Sequence, residues 1–102
     1  MVKVSGKWVA PLEVERTLQE CPSVKECAVL GIPDGDGLSE LKAFVVLQNG
    51  ATPSAEMREE IKRFCRETLL SYKLPRAVEF MDELPKTGQG KIDRRRLREQ
   101  SL

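Results

Sequence analysis

Between residues 55 and 69, Met57, Ile61, Phe64, Cys65 and Leu69 recur at helical spacing while Arg58, Glu59, Lys62, Arg63 and Arg66 fill the positions between them. That pattern predicts an amphipathic helix, and Thr52-Pro53-Ser54 supplies the capping and first-turn chemistry to start it. A shorter helix is predicted after Pro11, where Val14, Leu18 and Cys21 stand at i, i+4 and i+7 and Pro22 ends the run. Cys27 to Ile32 is continuously apolar and stops at Pro33-Asp34-Gly35-Asp36-Gly37, which reads as a buried strand and then a loop; Leu41 to Leu47 is its expected neighbour. Val2 to Val9, broken by Ser5-Gly6, reads as a tight hairpin. Ala77 to Met81 alternates Val78 and Phe80 with Glu79 as a half-buried strand does, and Asp93 is placed to cap a last short helix running through Arg98. The expected fold is α+β: a small mixed sheet with an N-terminal hairpin and two main helices packed on it, residues 1–102 forming one domain.

Composition narrows the chemistry. The 102 residues suit a modest core and are too few for a deep substrate cavity, so the rest of any large active site would have to come from elsewhere. Hydrophobic residues make up 40% and charged residues 32%, a globular balance, and the longest uncharged apolar run, Cys27 to Pro33, is far below the roughly 20 residues of a membrane span. Neither a signal segment nor a membrane partner is expected. Cys21, Cys27 and Cys65 lack CxxC spacing and sit in apolar patterns, which predicts buried reduced thiols, and there is no histidine to complete a metal site. A cytoplasmic location and no bound metal are therefore expected. The net charge of +1 hides an asymmetry: Lys86, Lys91, Arg94, Arg95, Arg96 and Arg98 crowd the last segment and leave the first 84 residues net acidic. Without interleaved aromatics or a reader motif, those arginines read as a solvated helix face, and no nucleic-acid partner is expected.

The segment Pro85-Lys86-Thr87-Gly88-Gln89-Gly90-Lys91 is the most informative for chemistry. Gly88 and Gly90 flank one residue, shaping a tight loop that keeps bulk away from whatever Lys91 approaches. A lysine so presented places a compact charge on a phosphate or carboxylate oxygen. The spacing is not that of a phosphate-binding P-loop, which requires an earlier glycine and a following Ser or Thr where this chain has Pro85 and Ile92. From spacing alone, a β-turn with a solvated lysine remains the competing reading.

Five segments stand in a telling order: Val4-Ser5-Gly6 with Pro11-Leu12-Glu13-Val14-Glu15; Gly31-Ile32-Pro33-Asp34; Ala43-Phe44-Val45-Val46; Tyr72-Lys73-Leu74-Pro75; and Leu84-Pro85-Lys86-Thr87-Gly88-Gln89-Gly90-Lys91-Ile92-Asp93-Arg94. Together they resemble the mobile C-terminal domain of the acyl-adenylate-forming superfamily, which includes acyl-CoA synthetases, luciferases and peptide-synthetase adenylation domains. Trp8-Val9-Ala10-Pro11-Leu12-Glu13-Val14-Glu15 and Asp34-Gly35-Asp36-Gly37-Leu38 look most like benzoate and related aromatic acid CoA ligases.

The resemblance implies two half-reactions. A carboxylate attacks the α-phosphate of ATP, giving an acyl adenylate and pyrophosphate; the thiol of CoA then attacks the adenylate carbonyl and displaces AMP. Lys91 matches the family's lysine for the first step, where it would offset the repulsion between two anions. Gly6 matches the glycine lining the pantetheine tunnel in the second step, and Lys3 a position linked to that step in some relatives; by themselves they read as a hairpin turn and an exposed strand charge. Tyr72, Lys73 and Arg76 match the region that holds the nucleotide end of CoA, against the plainer reading of a helix C-terminus with favourable cations. Leu74 stands where some relatives carry a basic residue. Trp8 would edge the tunnel or pack under the hairpin, with packing the expected role. ATP, CoA, a small carboxylic acid and the protein's own N-terminal adenylation domain are the implied partners, with Mg²⁺ held by that domain. A protein lysine acetyltransferase acting on Lys91 is a further implied partner. The large domain and the acidic hinge pair expected upstream of Val2 are not among the 102 residues, so the isolated chain is expected to adenylate nothing. A carrier-protein-dependent adenylation domain and a non-catalytic nucleotide- or partner-binding module are the alternatives.

Overall fold

The chain folds in three layers, seen in a computed structural model that describes residues 1–35 and 37–101. Strands β1 (Val2–Val4) and β2 (Lys7–Val9) form an antiparallel hairpin, and α1 (Pro11–Gln19) follows at once. Then come β3 (Val24–Pro33), β4 (Ser39–Leu47), α2 (Ala55–Thr68), a single 3₁₀ turn (Ser71–Lys73), β5 (Ala77–Phe80) and α3 (Arg94–Ser101). The second sheet has the order β3-β4-β5, antiparallel between β3 and β4 and parallel between β4 and β5, so β4-α2-β5 is a crossover unit. This is the expected α+β fold with a mixed sheet and hairpin.

Alternation along the strands sorts side chains into two cores. Cys27, Val29, Leu41, Ala43 and Val45 face α1 and α2 and pack with Val14, Leu18, Ile61 and Cys65, while Val2, Val4 and Val9 bring the hairpin onto the same side. Ala28, Leu30, Phe44 and Val46 face the other way and are covered by Leu84 and Leu97, with Ile92 beside them. The sheet is therefore buried on both faces, which is why β3 and β4 read as apolar runs rather than as clean alternation. The second cover, the stretch from Leu84 through α3, is what the expectation of two packed helices omitted.

Boundaries follow local chemistry. Ser54 caps α2 by accepting a hydrogen bond from the Met57 N–H at 3.0 Å, and Pro11 occupies the first turn of α1. Leu69 lies just past the α2 terminus but still packs on the first core. β3 begins three residues earlier than its apolar run because Lys25 and Glu26 project from an edge strand that must cover only part of its surface.

Helix side chains bond groups on both sheet edges. On β3, Glu15 of α1 accepts the Val29 N–H at 2.9 Å and Gln19 donates to the Lys25 carbonyl at 3.0 Å. On β5, Arg58 and Lys62 of α2 donate to the carbonyls of Val78 and Arg76 at 3.1 and 3.3 Å. These four groups are thus unavailable for pairing with another chain.

Ser5 and Gly6 both take positive φ, 50° and 80°, between the paired residues Val4 and Lys7. Two central residues of this sign define the hairpin turn whose twist matches that of its strands. Gly31 has a different reason to be glycine: a Cβ there would meet Val2 Cγ1 at 2.5 Å, so its missing side chain is the space into which β1 packs. Asp36, in the segment that resembles aromatic acid ligases, lies outside the described residues.

Candidate functional site: the Lys91 loop and the hairpin end

The Lys91 loop is a closed ring of backbone bonds. Thr87 donates its N–H to the Lys91 carbonyl at 2.7 Å, Gly90 donates to the Thr87 carbonyl at 3.0 Å, and Asp93 donates to the Pro85 carbonyl at 2.8 Å. The Thr87 hydroxyl adds a second tie, accepting the N–H groups of Gln89 and Lys91 at 3.3 Å each. Lys86 and Ile92 bridge across the stem, and Leu84 and Ile92 root it in the second core. Gly90 has φ 84°, the left-handed region that a side chain resists, whereas Gly88 has no positive φ and nothing within 4 Å of an added Cβ. Of the two glycines expected to shape the loop, only Gly90 is required by its conformation. Thr87 was missed as a loop-shaping residue, although a threonine two residues before Gln89 is the ordinary signature of such a turn.

Lys91 itself is exposed, and among the described residues no carboxylate pairs with its ammonium. Its neighbours are paired: Lys86 with Glu26 at 2.8 Å, and Arg94 with Glu15 through two hydrogen bonds of 2.8 and 3.0 Å. Arg94 therefore departs from the solvated face expected of the arginine run; it is held by a forked bond to a carboxylate that is 17% exposed. Arg95 does face solvent and pairs with Glu99 on its own helix. Asp93 caps α3 as expected, accepting the Arg96 N–H at 3.0 Å.

The other residues gather elsewhere. Val2 meets β3 at Gly31, five residues along the strand from Glu26, where Lys86 attaches the Lys91 loop. At the rise of an extended strand this is roughly 17 Å. The hairpin belongs to the first core and the loop stem to the second, so they lie on opposite faces as well. On the outward side of the hairpin, Lys3 pairs across the strands with Trp8, its ammonium 5.6 Å from the ring centre. Trp8 is 60% exposed, which overturns the expectation that it packs under the hairpin: Val9, next to it and opposite in direction, takes the inward position.

Tyr72 is half-buried against the first core, with Lys7 at 4.8 Å and Lys73 at 5.8 Å from its ring centre. The Lys73 ammonium also bonds Glu13 of α1 at 2.7 Å, and this hydrogen bond raises its pKa above the usual lysine range. An incoming phosphate would have to displace or share that carboxylate. Arg76 is exposed and loosely set, 3.6 Å from Glu40. Val4, Ser5, Glu40, Tyr72, Leu74 and Arg76 border a cleft of ≈ 300 Å³ open to solvent. The structure thus brings Gly6, Tyr72, Lys73 and Arg76 to one end of the domain and leaves Lys91 at the other.

The family whose description is AMP-binding enzyme C-terminal domain matches residues 13–91. The chain belongs to that family. As an AMP-binding C-terminal domain it is 48% identical over 98 residues to 4-hydroxybutyrate–CoA ligase 1 of Metallosphaera sedula, covering 96% of this chain and 17% of the relative. It is 46% identical over 98 residues to benzoate–CoA ligase of Thauera aromatica, covering 96% of this chain and 19% of that one. Among solved structures it superposes on the anthranilate CoA ligase AuaEII in complex with anthranoyl-AMP with a TM-score of 0.88 at 48% identity, over 98% of this chain and 19% of that one. The chain thus spans less than a fifth of the length of these curated relatives. Among the described residues there is no group of three or more His, Cys, Asp or Glu that could hold a metal, and no helix is long and apolar enough to cross a membrane. All three cysteines are buried and unpaired, as expected.

Proposed function

We propose that residues 1–102 are the mobile C-terminal domain of an ATP-dependent carboxylate–CoA ligase, and that Lys91 carries the charge that lets its first half-reaction proceed. The observation behind this is the contrast on one loop: Lys86 and Arg94 are neutralised by carboxylates, while Lys91 stands exposed between them on a ring of backbone bonds. An ammonium held this way is available to a ligand supplied by another domain. In the closed enzyme it bridges the acid carboxylate and an α-phosphate oxygen as the carboxylate oxygen bonds to phosphorus and pyrophosphate leaves, and exclusion of water strengthens that attraction. The large N-terminal domain supplies most of the acid pocket, the ATP site and Mg²⁺.

In the second half-reaction the CoA sulfur bonds to the adenylate carbonyl carbon and AMP departs. Gly6, with no side chain at the hairpin tip, leaves room for the pantetheine arm, while Lys3 and Trp8 border its path. Tyr72, Lys73 and Arg76 receive the nucleotide end. The separation of the hairpin from the Lys91 loop supports a rotation of the domain between the two steps, because one fixed orientation cannot present both. Benzoate or a related aromatic carboxylate is the proposed acid, supported by the 46% and 48% identities to a benzoate–CoA and an anthranilate CoA ligase, although a 4-hydroxybutyrate–CoA ligase is as similar at 48%. The exposure of Lys91 also fits modification by a protein lysine acetyltransferase, which would remove its charge. Finding Lys91 always unmodified in cells with an active acetyltransferase would count against that part.

The test is Lys91→Ala in the full-length enzyme, assayed separately for pyrophosphate release and for thioester formation from preformed acyl adenylate. Loss of the first with retention of the second is expected. Equal loss of both would refute the assigned role.

A further inference from the structure

A charge 79 residues away in sequence fixes the base of the Lys91 loop. Arg94 is the first residue of α3 and the third after Lys91; its two terminal nitrogens bond the two oxygens of Glu15. The same Glu15 carboxylate accepts the Val29 N–H from the edge of β3, so one side chain joins α1, the sheet edge and α3. The other ion pair that ties this segment to the sheet is softer. The Lys86–Glu26 pair has a single contact and both side chains are about one-third exposed, at 37% and 33%. Exposed single contacts of that kind hold geometry weakly, whereas a forked guanidinium–carboxylate bond fixes both distance and orientation.

We infer that Glu15 and Arg94 form a positioning pair that sets the direction of Lys91 for adenylate formation. The inference rests on the reading of Lys91 proposed above. The pair does not touch substrate; it acts through the stem of the loop, which its guanidinium anchors immediately after Asp93 has closed the backbone ring on Pro85. Among the described residues Arg94 makes no hydrogen bond or ion pair to the hairpin, which packs on the other core, and on α1 it is Glu13 rather than Glu15 that bonds Lys73. Loosening the pair should therefore impair the first half-reaction and spare the second.

The experiment uses the full-length enzyme with Glu15→Gln, which retains an acceptor for Val29, and Arg94→Lys, which retains the charge without the fork. Each is measured for adenylate formation, for thioester formation from preformed acyl adenylate, and in combination with Lys91→Ala. Misdirection of a catalytic group by about 1 Å lowers its rate about 100-fold, so a fall of about 10- to 100-fold in the adenylation kcat is expected. KM for ATP and acid should stay within about two-fold, since the ground-state contacts are untouched, and thioester formation should do the same. Because the pair acts through Lys91, adding Lys91→Ala to either variant should give no more loss than Lys91→Ala alone. Unchanged adenylation, equal loss in both half-reactions, or full additivity with Lys91→Ala would each overturn the inference. Should Glu15→Gln not fold, Arg94→Lys still decides it. If Lys91→Ala itself leaves adenylation intact, the reading of Lys91 falls first; if Lys91→Ala abolishes adenylation while Arg94→Lys slows both halves equally, only the pair's role falls.

Discussion

Replacing Gly31 with alanine sets two opposing effects against each other, and their magnitudes decide the result. Gly31 has no positive φ, so alanine fits its backbone and should stabilise a strand interior by about 0.5–1 kcal/mol. Against this, the new Cβ would lie 2.5 Å from Val2 Cγ1, with Val2 Cβ at 3.0 Å and Cγ2 at 3.1 Å. Gly31 is held by pairing with Leu41 on an edge strand whose two faces are both covered, and Val2 is held by pairing with fully buried Val9. Neither side yields without moving a strand, and overpacking of this kind costs about 1–3 kcal/mol. The clash therefore wins, with an expected net loss of about 0.5–2 kcal/mol and, for a chain of this length, a fall in Tm of about 4–8 °C per kcal/mol. Val2→Ala removes Cγ1 and Cγ2, the contacts at 2.5 and 3.1 Å, and leaves Cβ at 3.0 Å, so the double variant should recover part of the loss, with a coupling of about 0.5–1.5 kcal/mol. Urea denaturation of the four chains in the cycle measures it. A Gly31→Ala protein as stable as the parent, or a cycle with no coupling, would refute the argument that β1 occupies the space left by this glycine.

Ser5 holds φ 50° in the hairpin turn, so Ser5→Asn should raise stability by a few tenths to about 1 kcal/mol by thermal denaturation, and a loss would contradict the assigned turn geometry. Ser54→Ala should cost about 1 kcal/mol by removing the α2 cap; an unchanged urea midpoint would contradict the capping bond. Burial first, then the Glu15 carboxylate, pushes the Cys27 thiol from 9.0 up to about 12; burial, then Cys21, pushes Cys65 up to about 11. Both folded values lie above the unfolded one, so their contribution is complete below pH 9 and is lost as pH rises from there toward 11 to 12. The urea midpoint should fall above pH 9 and fall less steeply in Cys27→Ala/Cys65→Ala; identical slopes would count against it. Lys91→Ala should leave stability within about 0.5 kcal/mol, because its side chain is exposed and unpaired among the described residues; a larger loss would show a structural role.

Periodic segments were legible because burial writes itself into spacing: Ile61 and Cys65 of α2 lie inside as the pattern required. What spacing does not carry is partnership at long range. Arg94 looked like one more solvated cation because its carboxylate is on α1, and Lys25 and Glu26 hid the start of β3 because an edge strand tolerates charge. Trp8 was misjudged on the same ground: a large aromatic is usually inside, but in a three-residue strand the inward place had gone to Val9. Gly31 was legible only as part of a resemblance, since the need for it is the position of Val2. The Lys91 loop could be drawn from its glycines, but the hydroxyl of Thr87 and the Glu15 anchor required coordinates.

Synthesis from the N-terminus makes the Glu15–Arg94 bond a late event in the assembly of residues 15–94. Glu15 leaves the ribosome 79 residues ahead of Arg94, so over that interval the carboxylate has a strand N–H to accept but no cation. Through the same interval the second sheet face, with Phe44 and Leu30 on it, waits for Leu84 and Leu97. A nascent chain halted before residue 94 lacks Leu97 and so leaves part of this apolar face open to aggregation. The loop that carries Lys91 is thus completed only in chains whose translation has passed the anchor that fixes it.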